Sequence, residues 1–257
     1  MESIAHLRFH LLGLVLAWSC AGLVSGLAAG QAKAQEKVQA KESTCYGTVA
    51  NGRLDAGVSL PEKGNNFSAY SALGVSLGRT YVHSTVAEII SLAYRQLEQT
   101  ASDKVFVYGE TGWKTGGRMR PHRTHKNGLS VDFMMPVLDA HGISRPLPGN
   151  MNNNYGYDID FDAQGRFGDY RIDFAALAEH LYQLDLAAKT KGKGLALVII
   201  DPPYQAKLFA TKRGPYLQEH LKFMKGKAWI RHDEHYHVDF DLPCKKESGF
   251  IVKRSTG

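Results

Sequence analysis

Apolar positions along the chain recur with two different periods. In residues 83–99 (HSTVAEIISLAYRQLEQ), Ala87, Ile90, Leu92, Ala93 and Leu97 follow a broadly helical spacing, with Ser84 or Thr85 placed to cap it. Residues 104–110 (KVFVYGE) are β-branched and aromatic and predict a strand that Gly109 ends. The glycine-rich stretch 111–117 follows as a loop. Beyond the Asn127-Gly128 turn signal the period becomes two: Leu129, Val131 and Phe133 fall on one side, Ser130 and Asp132 on the other. Residues 157–174 predict a hairpin around Ala163-Gln164-Gly165, and a helix is expected over 173–189. The unbroken apolar run 195–200 (LALVII) predicts a central strand, ended by Asp201-Pro202-Pro203. One or two helices fit between Tyr204 and Met224, and a last strand fits 234–242. There is no internal repeat. Hairpins mixed with separated helices predict an α+β fold, a small and mainly antiparallel sheet flanked by helices.

The start of the chain breaks this pattern. Arg8 precedes an apolar stretch from Leu11 to Ala29, and Ala32-Lys33-Ala34 supplies the small-x-small site of an export signal. Residues 1–34 therefore read as a signal peptide and 35–44 as a flexible lead-in, with 45–257 as the functional domain. Glycine and serine within the stretch favour cleavage over retention as a membrane anchor, and Trp18 makes a poor lipoprotein site before Cys20. Nothing after the signal is apolar enough to span a bilayer. Export changes the meaning of Cys45 and Cys244, the two cysteines left, which read as one disulfide. The formal net charge is +6, one unit less once Glu2, Arg8 and Lys33 are removed. For an exported chain that balance points to cell wall or lipid headgroups, not nucleic acid.

Five of the eleven histidines sit in two short segments, PHRTHKNGLSVD (121–132) and RHDEHYHVDF (231–240). If the second is extended, His235 and His237 share one face with Asp239 and Asp241, while Tyr236, Val238 and Phe240 take the core face. In the first, His125 and Asp132 bracket a turn and can converge on one point. Imidazole and carboxylate are ligands that zinc prefers, and a catalytic zinc keeps one position for water. Candidates are His122, His125, Asp132, His232, His235 and His237. H-E-x-x-H and G-x-S-x-G are absent, which excludes the helix-borne zinc peptidase scheme and the serine elbow. Asp158-x-Asp160-x-Asp162 resembles a calcium loop, but Ala163 stands where that loop requires glycine.

H-x6-D followed far downstream by H-x-H resembles the lysostaphin, D-Ala-D-Ala peptidase and hedgehog zinc domains. Within that group the chain is most similar to the penicillin-insensitive murein endopeptidases. The likeness rests on Gly117-Arg118-Met119, the segment from His122 to Asp132, the segment from His232 to Val238, and Pro243-Cys244. It covers about a third of the chain, and residues 151–170 have no counterpart. The resemblance implies that His125, Asp132 and His237 bind Zn2+, with His235 as general base and His122 and His232 as supporting groups. It implies a periplasmic metallopeptidase acting on peptidoglycan cross-bridges as a D,D-endopeptidase. A D,D-carboxypeptidase trimming the stem peptide, with Arg118 or Arg120 on the terminal carboxylate, and a non-catalytic wall-binding module are the alternatives.

Overall fold

The protein is described by a computed structural model covering residues 42–226 and 228–247. The expected signal peptide lies outside the described residues, as does most of the lead-in. Of the lead-in's last residues, Ser43 is buried and its hydroxyl donates to the Ala56 carbonyl, and Thr44 opens a hairpin made by Thr44–Thr48 and Asn51–Asp55. Among the described residues no helix is long and apolar enough to cross a membrane.

The two segments that carry the histidines become neighbouring antiparallel strands, Ser130–Met134 and His235–Asp241. Their register places His237 opposite Asp132 and Asp239 opposite Ser130. A five-stranded sheet forms around this pair, in the order Gly194–Ile199, His235–Asp241, Ser130–Met134, Phe106–Tyr108, Phe67–Ala69. Every pairing is antiparallel except the last. Residues of period two divide as expected: Val131, Phe133, Tyr236, Val238 and Phe240 are buried in the apolar core. The helices Ser84–Thr100 and Phe174–Thr190 pack together over that face, where His180 meets the rings of Phe133, Tyr94 and Phe106. The fold is α+β, with a mainly antiparallel sheet carrying the histidines opposite its helices.

Several local expectations need correction. The first long helix is capped by His83, whose Nδ1 accepts from the Thr85 N–H at 3.1 Å, so Ser84 and Thr85 lie inside it. Its buried stripe is Val86, Ile89, Ile90, Ala93, Tyr94 and Leu97, one position away from Ala87 and Leu92. The Gly194–Ile199 strand is an edge strand, not a central one. Its apolar run reflects cover from the neighbouring helix and from chain returning past its free edge, where Val198 bonds to Lys222 and Met224. The turn at residues 163–165 exists, held by the Asp162 carboxylate, but the hairpin proper pairs Arg166–Phe167 with Tyr170–Ile172. Residues 157–161 form no strand. The Phe161 N–H bonds instead to the Asp233 carboxylate at 2.8 Å, which draws this stretch across the polar face of the sheet.

Cys45 and Cys244 are joined, closing a separation of 199 residues and tying the first hairpin to the chain after the last strand.

Candidate metal centre

The polar face of the central strand pair is not solvent-exposed, although alternation alone would leave it so. Asp132 and His125 are 0% exposed and His237 is 1% exposed. Four segments line the space over the face: residues 70–79, 120–124, 154–158 and 229–234. Between them lies a groove of about 440 Å³ lined by His122, Asp132, Tyr157, His232, His235 and His237 among others.

Asp132 and His237 reach the site as a cross-strand pair, and His125 arrives from the loop. His125 has φ +64°, in the left-handed region, which histidine tolerates better than most residues. The following turn passes through Gly128 at φ +79°, where a Cβ would lie 2.8 Å from the His83 nitrogen and 2.6 Å from Leu54. The turn therefore needs glycine, and it aligns the loop histidine with the strand aspartate.

Three donor atoms converge. His125 Nε2 lies 3.2 Å from His237 Nδ1 and 3.2 Å from Asp132 Oδ1, and His237 Nδ1 is 2.9 Å from Asp132 Oδ1. These separations approach the edge of a tetrahedron built on metal–ligand bonds of about 2.05 Å, roughly 3.3 Å. The remaining ring nitrogens are fixed as metal ligands require. His125 Nδ1 donates to the Thr111 carbonyl at 3.0 Å, and His237 Nε2 donates to Asp239 Oδ1 at 2.8 Å. Ser130 Oγ in turn donates to Asp239 at 2.6 Å. Such outer hydrogen bonds select the tautomer and orient the ring. A second grouping overlaps the first: donor atoms of His122, His125 and Asp132 lie within 4.8 Å of one another. His122 is the looser member, with Nε2 committed to Glu110 and Nδ1 3.6 Å from Asp132 Oδ2.

The other histidines flank Asp132 Oδ2. His235 Nε2 faces it at 3.9 Å while its Nδ1 is bound to Glu234 at 2.6 Å. The His232 ring lies 4.6 Å from that of His235, with Nδ1 donating to the Ile230 carbonyl. All six residues singled out in the sequence thus meet at one place.

Electrostatics differ among them. Burial opposes charge on Asp132, yet His125 and His235 hold its carboxyl well below the usual range. Burial lowers His235 to about 4 and His232 to about 3, so both are neutral near neutral pH. Burial would also lower His122, but its hydrogen bond to Glu110 and the nearby Asp132 raise it. Burial pushes Glu234 up to about 8.

Sequence reading missed Glu110, Glu234 and Tyr157. Glu110 accepts from Tyr70 at 2.8 Å, from Arg79 and from His122, and a lone acid at a strand end gives no such warning. Tyr157 comes from residues 151–170, the stretch that the resemblance in sequence leaves unmatched, and the fold lays it over the site. Asp158, Asp160 and Asp162 form no metal group among the described residues. Arg79 is tied to Glu110 and to the Arg120 carbonyl, Arg120 lines the groove, and Arg118 does not.

The family model for penicillin-insensitive murein endopeptidases matches residues 45–250. The comparison with curated proteins gives no match.

Proposed function

The chain belongs to the penicillin-insensitive murein endopeptidase family, a peptidase family acting on peptidoglycan, and on that premise we propose that it is a zinc-dependent D,D-endopeptidase. The observation that carries this reading is the convergence of His125 Nε2, Asp132 Oδ1 and His237 Nδ1 to within 3.2 Å of one another, with both rings tautomerically fixed. His125, Asp132 and His237 would hold the zinc. When bound, zinc polarises the scissile carbonyl and makes water nucleophilic at neutral pH.

The chain's own residues supply the proton handling. His235 is neutral, fixed through Nδ1 by Glu234, and presents Nε2 to the groove, the arrangement of a general base. His122, raised by Glu110 and standing across the groove, presents Nδ1 to the same space and would stabilise developing negative charge as an imidazolium. His232 packs against His235, ring centroids 4.6 Å apart, and would help to hold its orientation.

The family match favours cutting within a cross-bridge over trimming a chain end. The groove's inner guanidinium, Arg79, is engaged by Glu110 and the Arg120 carbonyl. Arg120 lines the groove as a candidate for holding a terminal carboxylate. We also place the enzyme in the periplasm, with residues 1–34 as the signal peptide, 35–44 as the lead-in and 45–257 as the peptidase domain. Purified cross-linked muropeptides incubated with the protein should fall to monomers, resistant to penicillin and abolished by a chelator. Dimers left intact while pentapeptide stems lose a terminal residue would establish the trimming activity instead.

A further inference from the structure

We propose that Tyr157 is a positioning residue for the metal centre, locking Asp132 so that only Oδ1 is offered to the metal. The inference rests on the zinc reading above and assigns a role to the segment around residue 157. Tyr157 sits just after the 3-10 helix Met151–Gly156, whose N-terminus is closed by reciprocal hydrogen bonds between Asn150 and Asn153. Asn154 and Tyr155 both have positive φ, and the sharp turn they make directs Tyr157 into the groove.

The direction of its hydrogen bonds is determined. The Glu110 backbone N–H can only donate, and it reaches the Tyr157 oxygen at 2.7 Å. The phenolic hydrogen is thereby free for Asp132 Oδ2, 3.2 Å away. His122 Nδ1 at 3.6 Å and His235 Nε2 at 3.9 Å both stand farther from Oδ2 than the phenol does. Oδ1, by contrast, lies among His125 and His237. One oxygen is held by the phenol and the other faces the ligand set, so the carboxylate cannot swing to engage through both. The ring itself is wedged edge-on against Tyr70 and His235, at centroid distances of 5.7 and 5.2 Å.

Gly109 supplies an independent sign that this hydroxyl position is built in. A Cβ there would lie 2.4 Å from the Tyr157 hydroxyl oxygen and 3.1 Å from the Asp132 Cβ. The glycine that ends the Phe106–Tyr108 strand leaves the space that the phenol fills. Gly109→Ala should displace the hydroxyl and act like its removal.

The test is zinc affinity, measured by competition with a chelating dye at a temperature well below melting, for wild type, Tyr157→Phe, Gly109→Ala and Asp132→Asn. Losing an outer hydrogen bond to a metal ligand typically weakens metal binding 10- to 100-fold. Tyr157→Phe and Gly109→Ala should each fall in that range while the metal-free proteins keep wild-type circular dichroism. Wild-type affinity in a folded Tyr157→Phe protein overturns the inference, and should that variant not fold, Gly109→Ala decides on the same criterion. Asp132→Asn separates the two levels. If it loses zinc while Tyr157→Phe does not, only the positioning role fails; if it binds zinc like wild type, the metal reading and this inference fail together.

Discussion

At the scale of single residues, the site is a set of side chains whose second hydrogen bond decides what the first atom can do. His125 and His237 each spend one nitrogen on an oxygen behind them and present the other to Asp132. His235 and His122 instead lean on acidic side chains, Glu234 and Glu110, and present nitrogens to the groove. Division of labour follows from this geometry. His237→Ala should lose zinc, measured as metal per chain after dialysis, because one of three converging donors is gone. His235→Ala should retain about one zinc per chain and lose on the order of 100-fold or more in kcat, the usual range for a general base. Equal loss of zinc from both would refute the assignment. His122→Ala should also keep its zinc; loss there would favour the grouping of His122 with His125 and Asp132. The roles of these histidines were not separable by spacing alone, since each lies in the same two short segments.

At the scale of elements, the Phe174–Thr190 helix brings an unusual residue to the back of the sheet. His180 is completely buried among Tyr94, Phe106, Phe133 and Tyr236, with Nε2 lacking any partner among the described residues. Burial drives it down to about 3, against an ordinary value of 6.5. The unfolded chain therefore takes up a proton between pH 6.5 and 3 that the folded chain refuses, and stability falls as pH drops through that window. By pH 5 the loss relative to pH 7 is about 2 kcal/mol from this group. Thermal melts at the two pH values should show it, and His180→Phe should remove about 2 kcal/mol of the difference, leaving the share of His232 and His235, which burial lowers in the same way; an unchanged pH dependence would count against it. The helix expected over residues 173–189 is found as Phe174–Thr190, its N-terminus closed by Asp173, which accepts from the Ala176 N–H at 3.0 Å. The hairpin at 157–174 was misplaced because period-two residues were read as a strand, when tertiary bonds to Asp233 pull that backbone elsewhere.

At the scale of the whole molecule, the disulfide and the central strand pair hold the ends and the middle together. Cys45–Cys244 links segments 199 residues apart, for which the chain-entropy account gives on the order of 5 kcal/mol. Cys45→Ser with Cys244→Ser should lower the melting temperature by several degrees or more, and by the same amount as reductant does to wild type, while zinc content is preserved. Zinc loss on reduction would instead mean that the ends brace the metal centre. The sequence by itself determined the elements with strong periodicity, the export-compatible cysteine pair, and the six residues that gather at the site. It could do so because alternation on two strands fixes which side chains share a face, whatever the rest of the fold does. Only the tertiary structure decided that this polar face is buried, that Leu195 begins at an edge rather than in the sheet's centre, and that Glu110, Glu234 and Tyr157 complete the site. Those facts depend on which loops close over the sheet, and loop closure is set by hydrogen bonds between residues tens of positions apart, such as Tyr157 with Glu110 and Phe161 with Asp233. Periodicity is a local signal, and it carries no record of such meetings.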